Sequence, residues 1–406
     1  MNETVSEAAG FNPPPRDARL AGWLKDYPES LFSESLYQSI ELMERYSIGL
    51  AAELLRQLEV TDQLKTWRSV DELCRALSFQ PRFRSALAWL LKRLVEIGNI
   101  EKRDTSDGRS YRLHRLSQPE LARLRAIGLE IDQANAPTLD LLDRAAALYP
   151  AVARGEQSAE KALFGPEGMS LWLNYFHNRN LTYSVNNWVG AIVAANRVAG
   201  GAKLRILEVG AGACSGSEIL LQCLKERGLL PRLARYRITD TNAFFQRHGQ
   251  RQLLRQYRDL PLEWAALDID SPWQTQGVGA GEFDLVYGVN VLHVAKDLRF
   301  SLAQAHEALA AGSWLVIGEC VRPYPDQPIY VELIFQILES FSAVNTDAEI
   351  RPNAGFLTPD QWTRALRSAG FEEVEVLPDV EHIREIYPHF FAGAIAGRAN
   401  GTANEH

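Results

Sequence analysis

The sequence predicts an α/β chain in two parts: a mainly helical N-terminal half, and a C-terminal half built on a parallel sheet with crossover helices. Three observations carry this expectation. From residue 201 onward, apolar runs of strand length (LRILEVG, YRITD, EWAALDI, FDLVYGV, SWLVIGE) alternate with helical patterns, and such alternation is how a doubly wound sheet reads in sequence. From about 30 to 165 the apolar residues recur at spacings of three and four, the period of one helix face. The 406 residues are 46% hydrophobic and 23% charged, ordinary globular usage that excludes collagen, coiled-coil and wholly disordered classes.

In the N-terminal half, LFSESLYQSIELMERYSIGLAAELLRQL is the first long helical pattern. SVDELCRALSF follows, with Ser69 placed to cap a helix and Glu72 to close the capping box. PRFRSALAWLLKRLVEIG opens on Pro81 and stops at Gly98, the usual asymmetry of helix ends. IEKRDTSDGRSYRLHRL then alternates about Asp107-Gly108, a hairpin signal. Helix, helix, hairpin is a winged-helix pattern. It raises a DNA-binding reading, but residues 41–115 hold 14 Lys/Arg against 11 Asp/Glu, and DNA readers need a denser basic face. The net charge of the whole chain, −8, points the same way. No nucleic-acid partner is expected.

In the C-terminal half, VEVLPD and FFAGAIAGR close the chain as two further strands. Between the fifth strand and these lies the helix TPDQWTRALRSAG, with Thr358 as cap, Pro359 in its first turn and Gly370 at its stop. The expected divisions are a flexible leader over 1–30, a winged-helix-like domain over 31–165, connecting lid helices over 166–200, the sheet domain over 201–398 with an inserted cap over 322–357, and a tail over 399–406. The apolar stripe of IYVELIFQILESF, inside that cap, suits lid packing or an interface. The four cysteines are widely spaced, without CxxC or Cys/His ligand spacing. The start lacks a basic-then-apolar signal, and no apolar run reaches the ~20 residues of a membrane helix. A cytoplasmic chain with no membrane partner and no metal is expected.

The chemistry-bearing residues fall at the strand ends. ILEVGAGACSG places Glu208, Gly210 and Gly212 in the turn after the first strand, where open α/β sheets bind ligands. The nicotinamide fingerprint GxGxxG fails, because Ser215 stands at its third glycine. Asp240 ends the second strand and can accept from paired hydroxyls or cap the next helix. Asp268 ends the third, with Asp270 as a rival. Asn290 and His293 follow the fourth strand and Glu319 ends the fifth. Adjacent parallel strands deliver their ends into one crevice, so His293 and Glu319 can meet.

The ordered set ILEVGAG, YRITD, ALDID, FDLVYGVNVLH and AAGSWLVIGE resembles the class I S-adenosylmethionine-dependent methyltransferases, whose sheet is Rossmann-like. The resemblance implies that Gly210 and Gly212 receive the methionine part of the cofactor with Glu208 and Asn290, that Asp240 binds ribose, that Asp268 and Ile269 sit at adenine, and that S-adenosylhomocysteine is the product. Cys214 replaces the family's third glycine. More narrowly, YRITDTNAFFQRH, NVLHVAKDLRFSLAQAHEAL and ARGEQSAEKALFGPEGMSLW are similar to methyltransferase domains of polyketide synthases, over roughly residues 45–395. In carbon-methylating members a His and a Glu at the positions of His293 and Glu319 form a catalytic dyad. Helices placed like 171–189 close over the cofactor there, which makes Tyr183 a cofactor contact and Tyr175 and His177 substrate or lid residues.

The expected activity is therefore methylation of an activated carbon in a β-ketoacyl-like acceptor, free or carrier-bound, by a stand-alone tailoring enzyme of polyketide-type secondary metabolism, with a second copy of the chain as a candidate partner. O-methylation of a natural product is the alternative, since a His base serves both. A cofactor-sensing DNA-binding regulator is the third reading.

Overall fold

The computed structural model describes residues 18–106, 108–116, 118–200 and 203–400. The proline-rich start at 13–15, Asp107 of the expected turn and the tail from 401 lie outside the described residues. The chain divides into two compact units, one comprising Ser33–Tyr175 with Asp326–Ala343, the other comprising 18–32, Phe176–Pro325 and 344–400.

The first unit is mainly helical. Helix α1 (Glu34–Gln57) is capped by Ser33 and buries one side with Leu36, Ile40, Met43, Leu50 and Leu54. Helix α2 (Val70–Ala76) has the full capping box of Ser69 and Glu72. Helix α3 (Arg84–Glu96) follows a 3₁₀ turn at Pro81–Phe83, and Gly98, at φ 69°, takes the left-handed turn that ends it. Strands β1 (Arg68–Ser69), β2 (Ile100–Thr105) and β3 (Gly108–Leu113) form a small antiparallel sheet in the order β1-β3-β2. Helix α4 (Ala136–Arg154) ends at Gly155 in the left-handed region, and α5 (Pro166–Tyr175) closes the N-terminal part.

A stretch distant in sequence completes this unit. Of the expected cap over 322–357, residues Asp326–Ala343 pack here rather than with the sheet. Fully buried Arg93 pairs with buried Glu44 and, at 2.8 Å, with Glu96, and donates to the Pro328 carbonyl at 3.1 Å. Glu44 also accepts the Tyr330 N–H at 2.9 Å. The Trp89 indole donates to Glu332 at 2.9 Å and the Tyr149 hydroxyl to the Leu333 carbonyl at 2.7 Å. Buried polar groups need such partners, because each unpaired one forfeits its hydration.

The second unit is built on seven strands: β4 (Leu204–Glu208), β5 (Leu233–Thr239), β6 (Leu262–Ala265), β7 (Phe283–Val289), β8 (Leu309–Cys320), β9 (Phe371–Leu377) and β10 (Ala392–Ala399). Their order is β6-β5-β4-β7-β8-β10-β9. β4 to β8 run parallel, while β10 is antiparallel to both β8 and β9. Phe283, Leu285, Val286 and Tyr287 in central β7 are all fully buried, as a strand covered on both faces requires. Helices α6 (Leu181–Arg197), α7 (Ser215–Glu226), α8 (Ala243–Gln256), α9 (Leu298–Ala308) and α10 (Pro359–Ser368) belong to this unit. Thr358 and Gln361 form the capping box of α10.

Two expectations are corrected. The third strand ends at Ala265, so Asp268 lies three residues past it, exposed. The hydrogen bonds that a strand would use are replaced by a turn in which Asp268 accepts from the Asp270 N–H at 3.0 Å and the Ser271 hydroxyl at 2.8 Å. Within the stretch expected to be a flexible leader, Ala18–Trp23 is a helix, and its Trp23 ring lies 5.3 Å from His382.

Candidate active site

The site gathers at the carboxyl ends of β4, β5, β7 and β8. After β4, Gly210 and Gly212 sit at φ 62° and 53°, a region that glycine enters without strain. At Gly210 a Cβ would stand 2.2 Å from Val291 Cγ2, whereas at Gly212 it would meet nothing within 4 Å. The first glycine admits the β7 loop and the second leaves the turn open to a ligand. Cys214 is also left-handed, at φ 63°. For a residue with a Cβ that costs about 1–2 kcal/mol. Its sulfur occupies the notch over Gly249 of α8, where a Cβ would come within 2.3 Å.

Glu208 is buried beneath this turn. Its Oε2 accepts from the Ser217 and Tyr236 hydroxyls, both at 2.6 Å. Burial pushes its carboxyl up to about 7, against the lowering effect of those two donors. Asp240 Oδ2 accepts the Gly212 N–H at 2.8 Å, and Oδ1 the Asn242 N–H at 2.6 Å. Asn242, not Asp240, caps α8. Each Asp240 oxygen keeps a further lone pair for a ligand hydroxyl. Burial raises its pKa above the ordinary value.

After β7, Asn290 turns left-handed at φ 51°, donates its N–H to Gly318 at 2.7 Å and accepts the Cys320 N–H at 2.9 Å. It ties the ends of β7 and β8 together. His293 and Glu319 are both buried, with His293 Nδ1 2.7 Å from Glu319 Oε2. Glu319 Oε1 accepts the backbone N–H groups of Val291, Leu292 and His293 at 3.2, 3.0 and 3.4 Å. The turn that carries the imidazole thus also holds the carboxylate that orients it. Phe356 lies against the imidazole, ring centroids 4.2 Å apart. Arg351 braces the same turn through the carbonyls of Ala295 (2.7 Å) and Lys296 (3.0 Å).

The remaining expected site residues are placed as follows. The Tyr183 hydroxyl, on α6, is 2.7 Å from Ser215 Oγ at the end of the glycine turn, and burial pushes its pKa up to about 12. Ile269 follows Asp268 in the β6 turn, its carbonyl accepting from Ser301 at 3.0 Å. His177 is exposed in the sheet unit, its Nδ1 accepting the Arg179 N–H at 3.1 Å. Tyr175 is buried in the helical unit, edge-on to Trp172. Sequence reasoning missed Tyr236, Ser217, Arg351 and Phe356. The first two occupy positions facing Glu208 that strand and helix periodicity can suggest; the last two are tied to His293 by a fold-back that has no local signal. Among the described residues no group of three His, Cys, Asp or Glu side chains is placed to hold a metal ion, and no helix is long and apolar enough to cross a membrane.

Known proteins resemble this chain in sequence and in fold. Residues 207–315 match the methyltransferase domain family. The chain is 30% identical over 346 residues to polyketide synthase ThaQ of Burkholderia thailandensis, covering 82% of this chain and 16% of that protein. It is 28% identical over 249 residues to polyketide synthase PksR of Bacillus subtilis, covering 60% of this chain and 9% of that protein. It therefore spans a small fraction of these relatives. Among solved structures, the CurJ carbon methyltransferase superposes with a TM-score of 0.76 at 24% identity, covering 98% of both chains. These findings define the class: residues 207–315 carry a methyltransferase domain, on a sheet with the fold of the CurJ carbon methyltransferase. Within that class it resembles the methyltransferase domains of polyketide synthases.

Proposed function

We propose that the chain methylates the activated carbon of a β-ketoacyl-like thioester, presented by a carrier protein, in polyketide-type metabolism. The observation that supports this reading is the buried His293–Glu319 pair, 2.7 Å apart at the end of the sheet. The residues of the turn fit the cofactor: open space over Gly212 admits a ligand, and the Asp240 oxygens suit two ribose hydroxyls. Gly210, Gly212, Glu208 and Asn290 would hold its methionine end, Asp268 and Ile269 its adenine, and Tyr183 would close the near side. When bound, S-adenosylmethionine supplies a methyl group already activated on a sulfonium.

What the chain must add is orientation and a deprotonated acceptor. Glu319 accepts only, so the ring proton sits on Nδ1 and Nε2 is the basic nitrogen. His293 Nε2 takes the proton from the carbon between the two carbonyls, and Glu319 stabilises the imidazolium that results. The test uses methyl-labelled cofactor with paired β-ketoacyl and β-hydroxyacyl thioesters, each on carrier protein and free. NMR label on the α-carbon of the β-ketoacyl group is expected. Label on oxygen would overturn carbon methylation and reassign the same base to a hydroxyl.

A further inference from the structure

Helix α8 begins two residues after Asp240 and carries two opposed stripes. Phe245, Gly249 and Leu253 are buried, with Gly249 seated on Cys214 of the glycine turn. Arg247, Arg251 and Arg255, also four apart, are exposed on the other side. Phe244, exposed at 42%, stands one turn before Arg247 and continues their row. The helix contains no Asp or Glu. Among the described residues these three arginines make no ion pair or side-chain hydrogen bond.

Some exposed arginines elsewhere are matched, as Arg84 is with Asp71, Arg299 with Asp347 and Arg398 with Glu373, and others, such as Arg115, Arg258 and Arg367, stand singly; α8 sets three of them four residues apart on one face. The chain has 51 acidic residues against 43 basic ones, so acids for pairing are plentiful, yet this helix carries none. Burial, reinforced by Arg251 and Arg255, holds the imidazole of His248 below its ordinary pKa. Three guanidinium groups and an exposed aromatic ring, in a row about 18 Å long, supply the residue types that anchor protein interfaces. Their complement is an acidic protein face rather than a free metabolite.

We infer that the Phe244–Arg247–Arg251–Arg255 row docks an acidic face of the carrier protein that presents the acyl group. The inference rests on the carrier-bound reading above. The row starts at the edge of the sheet where the candidate site lies. β5, which feeds α8, is two strands from β7, about 10 Å along that edge. A carrier seated here would hold a flexible arm within reach of His293 without covering the site.

The test compares the full chain with the triple variant Arg247→Glu, Arg251→Glu, Arg255→Glu, all at solvent-facing positions, with circular dichroism to verify that both are folded. The binding probe is a negatively charged holo acyl carrier protein, followed by fluorescence anisotropy at low and physiological salt. Binding to the unmodified chain should weaken with salt, and the variant should lose at least ~10-fold in affinity and most of that salt dependence. Independently, KM for a carrier-bound β-ketoacyl acceptor should rise by about the same factor, while kcat/KM for the same acyl group on a small free thiol stays within about 2-fold. Equal carrier binding by both chains, or arginine-dependent binding of duplex DNA or anionic vesicles without binding of the carrier, would overturn the docking assignment. Methylation of neither acceptor would instead overturn the proposed reaction, with docking still decided by anisotropy.

Discussion

In the helical unit, Arg93 and Glu44 form a buried pair that Glu96 and Ser47 support and that also bonds the Pro328 carbonyl and the Tyr330 N–H. In the sheet unit, His293 and Glu319 form another, but there the carboxylate is held by the backbone of the turn that carries its partner. The first pair ties its two helices to a segment more than two hundred residues further along the chain. The second is fixed locally, at the end of two adjacent strands. A charge pair that bridges distant segments contributes to the architecture when intact and leaves a bare buried charge when cut. A pair supported by its own loop can lose its imidazole while the carboxylate keeps three backbone donors. Both pairs are buried, and what distinguishes them is the source of the supporting hydrogen bonds; the proposed base belongs to the pair that its own loop holds.

The contrast can be broken in four places. Glu44→Ala leaves Arg93 buried without its main partner, and urea unfolding should show a loss of about 3–5 kcal/mol. A loss under ~1 kcal/mol would erase the distinction drawn above. His293→Ala should lower the methylation rate at least ~100-fold, about 2.7 kcal/mol in the barrier, with cofactor binding and unfolding midpoint nearly kept. An unchanged rate would remove the imidazole from the reaction. Asp240→Ala should weaken cofactor binding by about 1.5–3 kcal/mol, the range for hydrogen bonds to a charged group, and calorimetry showing unaltered affinity would relocate the ribose site.

The fourth prediction concerns Glu208. Its folded pKa, about 7, exceeds its ordinary 4.5, so the folded chain binds this proton more tightly than the unfolded one. The stability linked to it is fully present below pH 4.5 and is lost as pH rises through 7, with a slope of up to about 1.4 kcal/mol per pH unit. Glu208→Gln should flatten that part of the stability profile. An identical slope in the variant would place the titration elsewhere.

Much of this was legible in advance because it is written locally. The capping box of Ser69 with Glu72 needs only residues three apart, and it forms, as does the Thr358 cap, which Gln361 completes. The order of strand-end residues at β4, β5, β7 and β8 followed from alternation alone. The third strand was overextended because Leu267 is apolar and buried though it lies in the turn after Ala265. The antiparallel entry of β10 depends on its pairing with β8 and β9, which no run of residues announces. Arg351 and Phe356 reach the His293 turn from some sixty residues away, beyond any periodic signal. The same holds for Asp326–Ala343, whose apolar stripe was visible but whose destination was not.

That last segment bears on heredity. Because Asp326–Ala343 is encoded inside the sheet unit yet completes the helical one, no single crossover in the gene exchanges one unit whole. A recombinant joined near codon 176 would bring its own Tyr330 and Glu332 to a foreign Glu44 and Trp89. Successful chimaeras should therefore inherit both stretches from one parent, so that the two units descend together although each has its own core.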